Sequence, residues 1–171
     1  SVPSASITNN TGTSELTCNT TSISVTASGG ASYSWSNSLG SNASATISSA
    51  GTYTVTATAA NGCTDTESIT ITSNTTAPTA SITNNDGTTE LTCSQTSVSL
   101  TATGGSSYSW NTGDNTANIS PTSSGTYTVT VTASNGCTDN TSVTLTSNTT
   151  TPTAGITNNT GTTELTCNKH L

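Results

Sequence analysis

The chain has 171 residues, of which 30 are Ser and 46 Thr, with no Phe or Met and one Lys or Arg against eight Asp or Glu. The net charge of -7 argues against nucleic-acid backbones and anionic membrane surfaces as partners. The length admits one or two small domains, whose apolar residues are too few for a thick core.

Taken in order, Ser6-Ile7-Thr8 predicts a first strand, turned by Asn9-Asn10-Thr11-Gly12 and followed by Glu15-Leu16-Thr17-Cys18. Ile23, Val25 and Ala27 alternate with Ser24 and Thr26 as a second strand, which Gly29-Gly30 ends. Tyr33 and Trp35 share one face of a third strand, and Ala45 and Ile47 mark a short one. In Gly51-Thr-Tyr-Thr-Val-Thr-Ala-Thr58 the alternation is strict. Tyr53, Val55 and Ala57 can face a core while the threonines face water. Asn61-Gly62 is a hairpin-turn signal just before Cys63, and Ile69 and Ile71 close the unit. These are about seven short strands with no helical period, the pattern of an antiparallel β-sandwich. Low hydrophobicity alone would predict disorder. The regular alternation, and the β-branched side chain of Thr, predict an ordered sheet instead.

The whole pattern repeats. Cys18, Cys93 and Cys167 are 75 and 74 residues apart, Cys63 and Cys137 are 74 apart, and Trp35 and Trp110 are 75 apart. The one-residue slip falls between each Trp and the next Gly-Thr-Tyr, as in a surface loop. The expected organisation is repeat 1 over residues 1–73, a linker 74–79 stiffened by Pro78, repeat 2 over 80–147, and a linker 148–153. Residues 154–171 restart a third unit: Thr153 to Cys167 differs from Thr79 to Cys93 at two positions. The predicted fold class is all-β, with tandem Ig-like antiparallel β-sandwich repeats of about 74 residues.

Five cysteines occur without any Cys-x-x-Cys pair, and the one histidine, His170, has no repeated partner, so a zinc site is not expected. Cysteines at fixed places in a Ser/Thr-rich acidic chain read as disulfides of an extracellular, cell-surface protein. No signal peptide or transmembrane run is visible, so a secreted protein would carry its leader outside this chain, and no membrane insertion is expected of this segment. Pairing within repeats gives Cys18–Cys63 and Cys93–Cys137 and leaves Cys167 unpaired or inter-chain. Pairing between repeats gives Cys63–Cys93 and Cys137–Cys167 and leaves Cys18. The first is preferred because it makes each repeat self-contained, with a staple for a lean core.

Each unit thus shows a Cys, then S-[IV]-S-[VL]-T-A-[ST]-G-G-x-S-Y-S-W, then G-T-Y-T-V-T, then N-G-C-T. The block resembles the Ig-like repeats, related to polycystic-kidney-disease-type domains, of large bacterial adhesins and gliding-motility proteins of the Bacteroidetes type. The resemblance covers both full repeats and the partial third. It implies an Ig-like sandwich, a tandem array and a surface or appendage role. It also implies a tyrosine corner at Tyr53 and core tryptophans at Trp35 and Trp110, and the expected core residues are Trp35, Tyr53, Trp110 and Tyr127. No cysteine pair pins the two sheets at their centres, which departs from antibody domains.

Asn9, Asn19, Asn42, Asn74, Asn118, Asn140, Asn148 and Asn158 each begin N-x-[ST], and the Thr-Thr-x-Pro linkers could carry O-glycans. Abundant Asn, Ser and Thr also produce such triplets by chance. Asp65 and Glu67, or Asp139 with Asn140, offer too few oxygens for a convincing calcium site, and plain surface charge is the simpler reading. Glu15, Glu90 and Glu164 recur as an exposed structural position. No nucleophile–base pair, phosphate loop or basic aromatic patch is present, so no enzyme and no cofactor are expected, covalent glycans aside. The functional expectation is a structural or adhesive surface protein. Its partners are copies of itself, head to tail in a stalk or filament, with surface glycans also considered. The partial third unit could complete a sandwich in a neighbouring chain, or the chain simply ends within a repeat. The alternative is a carbohydrate- or ice-binding module using rows of Thr.

Overall fold

Alternation of small apolar residues with Ser and Thr leaves each strand one face to bury. In the computed structural model, which describes residues 2–159, 161, 163 and 164, those faces close into two β-sandwiches. The first is built from β1 (Ser6–Asn9), β2 (Glu15–Thr17), β3 (Ile23–Ser28), β4 (Ser32–Trp35), β5 (Ser44–Ile47), β6 (Gly51–Thr58) and β7 (Thr64–Asn74). One sheet runs β1-β3-β5 and the other β2-β7-β6-β4. The second sandwich repeats the plan with β8 (Ser81–Asn84), β9 (Glu90–Thr92), β10 (Leu100–Thr103), β11 (Ser107–Trp110), β12 (Asn118–Ile119), β13 (Gly125–Thr132) and β14 (Thr138–Asn148). Its sheets are β12-β10-β8 and β11-β13-β14-β9. The fold is all-β, with no helix among the described residues, and most pairings are antiparallel. The exceptions are β2 on β7 and β9 on β14, which are parallel.

Each sandwich has its own core. Ile23, Val25, Trp35, Ile47, Tyr53, Val55 and Ile71 form the first, and Val98, Leu100, Trp110, Val129, Val131 and Leu145 anchor the second. The indole N–H groups reach backbone oxygens: Trp35 Nε1 donates to Asn42 O (3.0 Å) and Trp110 Nε1 to Thr116 O (2.9 Å). Two hydrophilic devices start each sandwich. The Ala5 N–H donates to Asp65 Oδ2 and the Ala80 N–H to Asp139 Oδ2, both at 2.9 Å. Asn9 folds back on its own turn, donating to Thr13 O and accepting from the Thr11 N–H. Asn84 makes the same contacts with Thr88 and Asp86.

The one-residue slip lies just after the tryptophans. The Trp35 N–H donates to Gly40 O, whereas that of Trp110 donates to Asp114 O, one residue sooner. Register is then restored, with Ala45 opposite Val25 and Ile119 opposite Leu100. Pro121 falls where Ile47 lies in repeat 1 and accepts from the Val98 N–H. Lacking an N–H it cannot extend the ladder, and β12 is only two residues long. The consequence reaches Tyr127, expected in the core. It is half-buried at the core's margin, because a cleft opens beside Pro121. Tyr53 at the matching place is buried.

β7 and β14 end on Asn74 and Asn148. Residues 154–158, which repeat the first-strand sequence, carry no strand. Ile156 is 100% exposed, whereas Ile7 and Ile82 pack against the two cores. Among the described residues, none covers Ile156. Cys167 and His170 lie outside the described residues.

Candidate functional site

The feature that distinguishes this chain from two sandwiches in sequence is the joint between them. It begins with strand length. β7 is 11 residues long, roughly 33 Å at an extended rise. Thr17 is in register with Asn74 at its far end, while Cys63 immediately precedes Thr64 at its start. Cys18 and Cys63 therefore sit at opposite poles of repeat 1. Cys93 and Cys137 are separated in the same way along β14, where Thr92 pairs with Asn148 and Cys137 precedes Thr138. A disulfide needs its Cα atoms within about 7 Å.

The expected within-repeat pairs Cys18–Cys63 and Cys93–Cys137 are accordingly not formed. The bridge is Cys18–Cys137, with the Cα atoms 5.0 Å apart and the residues 119 positions apart in sequence. The alternative set is overturned as well: Cys63 and Cys93 are free thiols, and Cys137 is committed to Cys18. Neither core carries a staple of its own. The staple holds the outgoing pole of repeat 1 to the incoming pole of repeat 2.

Polar contacts complete the joint. The Ala133–Gly136 turn is closed by the Gly136 N–H to Ala133 O, with Gly136 at φ +79°. It presents Asn135, whose Nδ2 donates to Asn74 O (3.2 Å), Asn74 Oδ1 (3.1 Å) and Thr76 O (2.9 Å). The side chain of Asn19 lies so close to Gly136 that a Cβ there would meet it at 2.2 Å. Gly104 plays a related part where the linker enters repeat 2, since a Cβ on it would strike Thr79 O.

Repeat 1 supplies an internal control. Its hairpin has the same sequence signal and the same closure, with Gly62 N–H to Ala59 O and Ala59 N–H to Cys63 O. Yet Asn61 and Gly62 are exposed and Cys63 half-buried, whereas Asn135 and Gly136 are half-buried and Cys137 is 2% exposed. The hairpin is preformed, and docking accounts for the difference. As a sequence, Asn135-Gly136 signals a turn and nothing of its role as a plug. The signal available was that the same Asn-Gly-Cys tip recurs in both repeats.

The sequon asparagines divide by this geometry. Asn19 and Asn74 belong to the joint, and Asn9 holds its own turn. Asn42, Asn118, Asn140, Asn148 and Asn158 are exposed, and so are Asn19 and Asn74. The outward face of β6 and β7 is a lattice of hydroxyls, with Thr52 Oγ1 and Thr70 Oγ1 3.2 Å apart and Thr54 Oγ1 and Ser68 Oγ 2.9 Å apart. Thr126 and Thr144 repeat the first pair at 3.1 Å. The cleft beside Tyr127 is open and about 230 Å³, and its one carboxylate, Asp114, accepts from Thr112 Oγ1. Among the described residues, no three His, Cys, Asp or Glu side chains gather as a metal site would require.

No family model matches the chain, and no curated protein matches it. Solved structures similar to this chain include two examples. One comes from work on host cell surface retention of a 1.5-MDa bacterial ice-binding adhesin, with 13% identity and a TM-score of 0.47 over 87% of this chain. This chain spans 66% of that one. The other comprises fibronectin(III)-like modules of Clostridium thermocellum CbhA, with 10% identity and a TM-score of 0.38, covering 83% of this chain and 95% of that one. With both TM-scores below 0.5, neither likeness carries an argument about this chain.

Proposed function

We propose that this chain is a segment of a non-enzymatic extracellular protein whose tandem sandwiches act as a stalk or filament of a bacterial surface appendage. The observation that carries the reading is the Cys18–Cys137 bridge, which closes between repeats and not within them. A module built to bind or catalyse alone gains little from spending its disulfide on a neighbour. A spacer gains a fixed angle at every joint. The disulfide supports an oxidising compartment. Exposed hydroxyl-rich strands with few charges gain solubility from glycans, for which Asn42, Asn118 and Asn140 are open. The Bacteroidetes-type affiliation belongs to this proposal and rests on the repeat motifs.

Electron microscopy of native material tests it. Long, evenly beaded rods or filaments support the reading. Compact, dispersed particles with no repeat along an axis overturn it. A second reading, a carbohydrate- or ice-binding module, has one observation in its favour: the hydroxyl lattice on β6 and β7. Retention on a glycan column or arrest of ice recrystallisation by purified chain would select it.

A further inference from the structure

Cys63 and Cys93 are free, and each is the repeat counterpart of a residue that is bonded. Cys93 occupies in repeat 2 the place of Cys18, and Cys63 occupies in repeat 1 that of Cys137. They also sit at the two outer poles: Cys93 beside the end of β14 and Cys63 before the start of β7. We propose that Cys93 of one copy of this chain forms a disulfide with Cys63 of the next, so that the Cys18–Cys137 joint propagates head to tail between copies. This rests on the structural reading above and supplies its linking chemistry.

Three observations support the pairing beyond the presence of two thiols. Both half-sites are already shaped. The loop after Cys93 is held by the Thr92 N–H to Gln95 O and the Gln95 N–H to Thr92 Oγ1, as that after Cys18 is held by Thr17 and Thr20. The Cys63 hairpin closes as the docked Cys137 hairpin does. The polar partners recur as well: Asn61 stands where Asn135 stands, and Asn148 and Thr150 stand where Asn74 and Thr76 accept its amide. Lastly, Cys93 is exposed and Cys63 half-buried, so both can be reached.

The step needs an oxidant, here a low-molecular-weight disulfide such as oxidised glutathione. The thiolate of one cysteine attacks it, forming a mixed disulfide and releasing one thiolate. The other cysteine's thiolate then attacks the protein sulfur and releases the second. Two protein thiols are oxidised, the small disulfide takes both electrons, and the two protons end on the released thiols.

The test uses the full chain with Cys167→Ser, which removes the other cysteine of the Cys18 type. With oxidised glutathione, this protein should give a ladder of covalent multimers on a non-reducing gel, with a Cys63–Cys93 peptide in the mass spectrum. Adding Cys63→Ser or Cys93→Ser should each abolish the ladder. An equimolar mixture of those two should give one dimer band and nothing larger. Dimers from either variant alone, or protein that stays monomeric in the mixture while Cys18–Cys137 is intact, would overturn the proposal. Filaments in native material whose Cys63 and Cys93 remain reduced would overturn it too, while leaving the structural reading standing.

Discussion

Tyr53 Oη donates to Ser49 O across four residues (2.9 Å), and Tyr127 Oη donates to Ser123 O in the same way (2.8 Å). Each phenol pins the chain entering the central strand of its sandwich. The two sites differ in burial, since Tyr53 is 6% exposed and Tyr127 is only half-buried beside the cleft. Tyr53→Phe leaves the Ser49 carbonyl without this donor and is expected to cost about 1 kcal/mol. For a unit of this size that lowers the melting temperature by roughly 4–8 °C. Tyr127→Phe should cost less, because water entering the cleft can replace the lost donor. Paired urea titrations check the order, and an equal or reversed effect contradicts it.

Losing the bridge should loosen the joint before it unfolds a core. Each sandwich buries its own Trp and β-branched residues without any internal disulfide. Cys18→Ser is therefore expected to lower the melting temperature of the cores by less than about 8 °C. The radius of gyration measured by solution X-ray scattering should rise as the two sandwiches reorient. Cooperative unfolding at room temperature on reduction would show that the cores depend on the bridge after all.

Asn135 offers a way to weaken the joint without touching a sulfur. Its amide serves Asn74 O, Asn74 Oδ1 and Thr76 O, so Asn135→Ala removes every one of these contacts. A net loss of about 1.4 kcal/mol is a tenfold change in an equilibrium constant. The Cys18–Cys137 bridge should then reduce at a glutathione ratio roughly tenfold more oxidising than for the parent. An unchanged midpoint would mean that the peptide linker alone sets the geometry.

Glycan occupancy should follow whether the joint engages the asparagine. Asn42, Asn118 and Asn140 are exposed away from the joint, whereas the side chain of Asn19 lies against Gly136 and Asn74 holds the Asn135 amide. Glycopeptide mass spectrometry of native protein is expected to find sugar at members of the first group and none at Asn19. A glycan on Asn19 would be incompatible with the docked hairpin.

Much of this architecture is legible in the chain because it depends on short-range periodicity. The alternation of Tyr53, Val55 and Ala57 with threonines fixes which face of β6 is buried, and Asn61-Gly62 fixes where the chain turns. The disulfide is not of that kind. Whether Cys18 can reach Cys63 depends on how far apart β2 and the β6–β7 turn lie. That distance is set by the parallel pairing of β2 with the far end of an 11-residue strand. Nothing local to either cysteine encodes it. The joint contacts of Asn135 and Asn19 are hidden for the same reason, being made between residues 59 or more positions apart, by side chains whose local role is also to turn the chain. Tyr127 is half-buried where repetition of Tyr53 predicts a core residue, because Pro121, lacking an N–H, ends β12 early beside the cleft.

The 119-residue span of the bridge alters what pulling on the molecule would do. Tension applied at the two ends passes from Cys18 directly to Cys137 and bypasses residues 19–136, which include most of both cores. Those residues cannot be drawn out in length while the sulfur–sulfur bond holds, so only the outer segments, peeling from β3, β7, β9 and β13, can pay out. The bridge thus makes a closed covalent loop of residues 18–137, whose contour an end-to-end pull on this chain cannot lengthen.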